Sequence, residues 1–155
     1  DLQTKAADML DYTRRIDWTS RVRDFMHLMG VACSDINVTP PKKAIVLAVN
    51  LLLEETEETV NAVLTVPLQL PRVGEEQLRD KPDLVEYIDG QVDTIYVALH
   101  GILTFGVDPR PIFTRIQVKN MEKKGRHPVT GKVLKPDGWT PPDIHAALVE
   151  QGWKG

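Results

Sequence analysis

The chain has 155 residues, of which 42% are hydrophobic and 26% are charged, and its formal net charge is −3. A chain of this length buries a core without disulfides or metals, and the small net charge excludes a global attraction to nucleic acid polymers or to membranes. The single cysteine excludes an internal disulfide framework, the longest apolar run (AIVLAVNLLL) is too short to span a bilayer, and the opening DLQTKAADML lacks a secretory signal, so a cytoplasmic protein is predicted.

Apolar residues recur at helical spacings of three and four along the chain, and few stretches alternate with the period of a strand. The sequence therefore predicts an all-α fold, a helical bundle of four or five helices, formed as a single domain over residues 1–155. Residues 1–16 are predicted to be an N-terminal extension, and the Pro- and Gly-rich residues 124–143 a C-terminal arm. The predicted helices cover about Asp17–Met29, Lys42–Val66, Leu84 to the turn at Gly106, Pro109–Lys123 and Ile144–Gln151.

The third predicted helix carries a regular apolar stripe, whose members follow one another at steps of four or three residues. Such a stripe is typical of a helix face that packs against other helices. We therefore predict that the stripe is buried and that the apolar residues of the fourth helix also face inward. The stripe consists of Leu84, Ile88, Val92, Ile95, Leu99 and Ile102, and the fourth helix contributes Ile112, Phe113 and Ile116.

The segment LLLEETEETV places several carboxylates inside an otherwise apolar helix. Glu54, Glu55 and Glu58 can share one face, because they are spaced at three and four residues. Asp89 and Asp93 have the same relation in DGQVD on the next helix. If the two helices pack together, the carboxylates converge, and hard oxygen ligands select Mg²⁺ or Mn²⁺. The alternative is a solvated acidic face on each helix, with a kink at the glycine of DGQVD.

A basic segment follows the acidic one: residues 54–93 carry a formal charge of −8 and residues 110–135 a formal charge of +7. Asn120 and Lys123 are three residues apart, so they share a face near the end of their helix. An amide and an ammonium group suit the oxygens of a phosphate. The alternatives are lysines that complement the helix dipole, or two charged surfaces that merely attract each other.

Other site chemistries find little support in the sequence. The four histidines lack zinc-like spacing, and no Glu-x-x-His, Walker, GxSxG or GxGxxG motif is present. His100 is predicted to be a satisfied core or surface histidine. The sequence identifies no base-binding residue.

Taken together, these motifs resemble the all-α NTP pyrophosphatase superfamily, which includes MazG-like proteins, dimeric dUTPases and phosphoribosyl-ATP pyrophosphohydrolases. The family has ExxE on one helix, matched by Glu55-x-x-Glu58, and ExxD followed by a greasy run on the next, where Asp93 leads into TIYV. The MazG-like branch with dUTPase activity adds N-x-x-K, present as Asn120-Met-Glu-Lys123, and a GK-x-x-KP-x-GW-x-P tail, present as GKVLKPDGWTPPD. The resemblance covers about Val22 to Leu148.

The resemblance implies a homodimeric enzyme that cleaves a nucleoside triphosphate, with dUTP as a candidate, to the monophosphate and pyrophosphate. By the same resemblance, Mg²⁺ or Mn²⁺ is held by Glu54, Glu55, Glu58, Asp89 and Asp93. Glu55 and Glu54 are the catalytic carboxylates, with Glu55 as the general base. Asn120, Lys123, Arg126 and Lys135 bind phosphates, and Trp139 packs on the protein rather than on a base.

Alternatives to this reading remain open at the level of the sequence. They are a broader house-cleaning enzyme acting on dGTP, dCTP or an alarmone, a catalytically weak nucleotide-binding helical module, and a plain dimeric scaffold. One departure from the family motif bears on them. Gly90 stands where ExxD has its Glu. Asp89 lies on the flank of the same helix face and is expected to replace that ligand.

Overall fold

A computed structural model of the chain describes residues 17–31, 33–67 and 73–155, so the predicted extension over residues 1–16 lies outside the described residues. The described part is all-helical and confirms the predicted fold class. A single 3₁₀ turn, Glu75–Gln77, and isolated bridges accompany the helices. The α-helices are α1 (Trp18–Leu28), α2 (Lys42–Asn61), α3 (Leu84–Thr104), α4 (Pro109–Met121) and α5 (Ile144–Glu150).

Aspartate side chains begin every described helix except α2, which starts after Pro41. Each aspartate accepts a hydrogen bond from a backbone N–H of the first turn, which would otherwise lack a partner. The capping residues are Asp17, Asp83, Asp108 and Asp143.

The second helix ends earlier than the sequence predicts, at Asn61 instead of Val66. The chain leaves the helix because Leu64 pairs with Leu78 in an antiparallel bridge, and the neighbouring Thr65 N–H donates to Gln77 O at 2.9 Å. This pairing gives hydrogen-bond partners to backbone groups that would have bonded within α2 if the helix had continued.

Helices α2 and α3 pack against each other as an antiparallel pair and form the most extensive helix contact in the described structure. Gly90 lies against Thr59 near one end of the pair, and Gly101 lies against Ala48 near the other. Small residues at both contacts let the two backbones approach closely. Helix α1 packs on another side of α3, where Val22, Met26 and Leu103 form a buried cluster.

The predicted burial of the apolar stripe on α3 is wrong for the single chain. Leu84, Ile88, Val92, Ile95 and Ile102 are all exposed, and only Leu99 is partly buried. On α4, Ile112 is partly buried whereas Phe113 is 68% exposed and Ile116 is also exposed. The residues of α3 that are buried instead are Gly90, Val97, His100, Leu103 and Thr104. Gly90 lies against Thr59 of α2, and Leu103 packs with Val22 and Met26 of α1, whereas the stripe stays largely exposed at the margins of these contacts.

Two amide side chains fasten the end of the chain to distant segments. Asn37 donates from Nδ2 to Gly152 O and accepts at Oδ1 from Lys154 N, both at 2.9 Å. Gln151 forms a similar reciprocal pair with the backbone of Asp108, at 2.8 and 3.0 Å. The residues after α5 are therefore held against both the α1–α2 connection and the start of α4.

The C-terminal arm between α4 and α5 contains a short antiparallel turn. Lys124 N donates to Leu134 O, and Leu134 N donates to Gly125 O, with a bridge between Arg126 and Val133. The predicted arm is thus an ordered loop with its own backbone pairing. None of the helices in the described ranges is long and apolar enough to cross a membrane.

Candidate functional site

The candidate site lies where the C-terminal half of α2 meets the N-terminal half of α3. Glu54, Glu55 and Glu58 lie on the later turns of α2, and Asp89 and Asp93 lie on the early turns of α3. The antiparallel packing of these helices brings those two halves side by side. Burial differs within the set, because Glu55 is partly buried and the others are exposed.

The electrostatics of Glu55 show that these five carboxylates are neighbours. Burial raises the pKa of Glu55, and the charges of Asp93, Glu58, Glu54 and Asp89 raise the pKa further. Desolvation and like charges both disfavour the ionised carboxylate. The acidic residues of α2 and α3 are therefore close enough for their charges to act together on Glu55.

The ion pairs seen between described residues involve Asp17, Asp108, Glu122 and Glu150, which lie outside this acidic cluster. Among the residues that the structure describes, no three acidic, histidine or cysteine side chains are already arranged as a metal site. The chemistry of the donors nevertheless fits a divalent cation, because carboxylate oxygens are the ligands that Mg²⁺ and Mn²⁺ prefer. The packing of α2 against α3 brings these carboxylates into one region of the surface.

The contact between Gly90 and Thr59 explains the departure from the ExxD motif. A Cβ atom at position 90 would overlap Thr59 Oγ1 and would lie 3.1 Å from Thr59 Cα. Thr59 is itself buried, and its hydroxyl donates to Glu55 O at 2.6 Å. Helix α3 continues through Gly90 without a break, and this glycine is a site of close packing between α2 and α3. A side chain at this position is sterically excluded in the observed packing.

The basic residues gather around Trp139, where the arm returns to the end of α4. Lys123 Nζ donates to Asn120 Oδ1 at 2.7 Å and lies 5.5 Å from the centre of the indole ring. Lys135 Nζ lies 4.4 Å from the same ring centre. The indole N–H donates to Lys119 O at 3.1 Å, so Trp139 packs on the protein. Asn120, Lys123 and Lys135 thus form one cationic cluster.

Arg126, the remaining predicted phosphate ligand, is exposed on the turn of the arm, and its backbone pairs with Val133. No hydrogen bond or ion pair between described residues joins the cationic cluster to the acidic cluster.

Two buried polar groups near this region escaped the sequence-based prediction. His100, predicted to be a satisfied core or surface histidine, is buried at 7% exposure, but its Nδ1 has no hydrogen-bond partner among the described residues. Burial lowers the pKa of His100 and favours the neutral ring. Thr94 Oγ1, next to Asp93 in the chain, is likewise buried and unpartnered within the described ranges. Helical spacing indicates only that such positions face the core, and it does not reveal missing partners.

The chain is similar to a known protein family. A family model described as phosphoribosyl-ATP pyrophosphohydrolase (PRA-PH) matches residues 22–120, which is well over half of the chain. The match contains the whole acidic cluster and ends at Asn120, before the rest of the cationic cluster and the arm. No curated protein matches the chain.

Proposed function

The chain belongs to the phosphoribosyl-ATP pyrophosphohydrolase family, part of the all-α MazG-like NTP pyrophosphatase superfamily, and on this premise we propose that it hydrolyses nucleoside triphosphates to monophosphates and pyrophosphate. The observation that carries the proposal is the packing of α2 against α3, which places Glu55 near four other carboxylates whose charges raise its pKa. Carboxylates gathered on one surface repel one another, and a bound divalent cation would relieve that repulsion.

The proposed cofactor is Mg²⁺ or Mn²⁺, held by Glu54, Glu55, Glu58, Asp89 and Asp93. The ion would offset the negative charge of the triphosphate and of the carboxylates around it. Asp89 takes the place of the motif glutamate, because the adjacent position 90 has no room for a side chain.

The protein groups have distinct proposed roles in the reaction. Glu55, with its raised pKa, is the general base that accepts a proton from the attacking water, and Glu54 orients that water. The water oxygen forms a bond to the α-phosphorus while the bond from this phosphorus to the α–β bridging oxygen breaks, and pyrophosphate leaves. Asn120, Lys123, Lys135 and Arg126 hold the phosphate oxygens.

Two substrate classes deserve direct comparison. The matched family name favours a phosphoribosyl-ATP-like nucleotide, whose triphosphate offers the same phosphoanhydride bond. The arm beyond residue 120 resembles the tail of the MazG-like dUTPase branch, which favours dUTP or another deoxynucleotide. We place dUTP first, because the cationic residues on the arm lie outside the family match.

We further propose that two copies of the chain form a homodimer. Val92, Ile95 and Phe113 are exposed although each lies on an apolar helix face. A monomeric soluble protein rarely exposes so much contiguous apolar surface. A second copy packed on the open side of α3 and α4 would cover these side chains.

The decisive experiment incubates the full chain with phosphoribosyl-ATP and each ribo- and deoxynucleoside triphosphate, with Mg²⁺, with Mn²⁺ and with EDTA. Chromatography of the products is expected to show monophosphate and pyrophosphate in equal amounts, formed only with metal. Release of orthophosphate instead, or the absence of cleavage while Mn²⁺ still binds, would contradict the proposal. The latter result would favour a nucleotide-binding module.

A further inference from the structure

Two lysines from different parts of the chain lie against the same indole ring. Lys123 follows the end of α4, whereas Lys135 lies on the arm, and their ammonium groups are 5.5 and 4.4 Å from the ring centre of Trp139. The ammonium groups are therefore no further apart than the sum of these distances. Water and salt screen much of the repulsion between like charges at such separations, and the π face of the indole attracts both ammonium groups.

Neither lysine has an acidic partner in the described part of the chain. Lys119, one turn earlier on α4, provides the contrast, because its Nζ lies 2.9 Å from Glu122 Oε1 in an ordinary ion pair. The single contact of Lys123 with a polar side chain is to the amide oxygen of Asn120. That contact leaves the NH₂ group of Asn120 as a further donor beside the ammonium groups.

Trp139 is itself fixed in place by the helix end. Its indole N–H donates to Lys119 O, a carbonyl in the last turn of α4, where intrahelical partners run out. Trp139 is partly buried, and the arm residues around it are mostly exposed. The ring therefore provides a fixed surface between two flexible side chains.

We propose that Trp139 is a positioning residue, which holds Lys123 and Lys135 ready to clamp a polyphosphate anion. The inference rests on the proposed function, because the anion in turnover would be the triphosphate of the substrate. Lysine side chains lose considerable rotamer freedom when they bind, and a ring that orders them in advance lowers this cost. Trp139 itself makes no contact with the anion in this proposal.

The test measures binding of inorganic tripolyphosphate to the full chain by isothermal titration calorimetry, without metal and at low ionic strength. Trp139→Leu is expected to weaken binding about tenfold, the size of a strong cation–π contribution. Trp139→Phe retains an aromatic face and is expected to stay within about threefold of the unmodified chain. Lys124→Met removes one equally exposed charge without an aromatic contact and serves as the matched control.

A double-mutant cycle separates positioning from simple charge. Lys135→Met should weaken binding clearly in the unmodified chain and much less in the Trp139→Leu background, because the lysine is no longer held there. Losses that simply multiply, or an unchanged affinity of Trp139→Leu, would overturn the inference. If Trp139→Leu does not fold, Lys135→Met must still lose more affinity than Lys124→Met, and equal losses would refute the clamp.

The outcome is independent of whether the protein hydrolyses a nucleotide. If no substrate is hydrolysed but tripolyphosphate still binds as expected, the proposed reaction is rejected and the proposed role of Trp139 is retained. Hydrolysis with normal KM in Trp139→Leu and Trp139→Phe would keep the reaction and reject the role of Trp139.

Discussion

Replacement of Gly90 by alanine tests the close contact between α2 and α3. The new Cβ would overlap Thr59 Oγ1 and lie 3.1 Å from Thr59 Cα, so the helices must move apart or the threonine must give up its hydrogen bond to Glu55 O. Overpacking of this kind costs about 1–3 kcal/mol, against a gain of about 1 kcal/mol in helix propensity.

Gly101→Ala is the matched control in the same helix. There a Cβ atom meets only Ala48 Cβ, at 3.8 Å, which is an ordinary contact. The propensity gain is common to both variants, so their difference in unfolding free energy isolates the steric cost of about 1–3 kcal/mol. For a chain of this size each kcal/mol shifts Tm by about 2–4 °C.

The assay is chemical and thermal unfolding of both variants, alone and in a Thr59→Ala background. We expect Gly101→Ala to match or exceed the original stability and Gly90→Ala to fall below it, with the gap narrowing when Thr59 is shortened. Equal stability of the two glycine variants would refute the packing argument. Gly90→Glu, which restores the family motif, is expected to lose more stability and to gain no Mn²⁺ affinity.

Glu55→Gln should lower the rate of pyrophosphohydrolysis by at least about a hundredfold, as expected for loss of a general base. It should also weaken Mn²⁺ binding measured by calorimetry. The control Glu57→Gln, which lies outside the cluster, should change neither the rate nor the Mn²⁺ affinity. Because folding raises the pKa of Glu55 above its usual 4.5, ionisation of this group opposes folding as the pH rises through that window. Glu55→Gln should therefore raise the Tm of the metal-free protein at neutral pH, and this gain should disappear at acidic pH. An unchanged or lower Tm at pH 7 would contradict the destabilising effect of the ionised Glu55 carboxylate. Phe113→Glu should shift the sedimenting species from dimer to monomer, whereas Val129→Glu on the arm should not, and dimers that persist in both would place the interface elsewhere.

The sequence predicts the helices well, because the signals for them are local. Apolar spacing gives their extent, and the predicted starts of α3 at Leu84 and α4 at Pro109 agree with the structure. The end of α2 is missed because the signal is not local: Leu64 pairs with Leu78 across the segment that separates them. Periodicity also shows that one face of α3 is apolar, but it cannot show what covers that face.

The candidate site divides along the same line. Spacing within each helix predicts that the carboxylates share faces, and their mutual influence on the pKa of Glu55 follows once α2 and α3 pack. The reason for Gly90 could not be read from the sequence, since the obstacle is Thr59 on another helix. The sequence also cannot show that Nδ1 of His100 lacks a hydrogen-bond partner among the described residues, because such partners come from segments distant in the chain.

The hydrogen bonds of Asn37 and Gln151 limit the motion of the arm between α4 and α5. Because the chain after α5 is fastened at two points, the arm is a loop closed at both ends and not a free tail. The entropy of closing that loop is lost once, when the protein folds, and not at each encounter with a ligand. The segment that carries Lys135 therefore samples a small volume near the end of α4, which keeps its effective concentration there high.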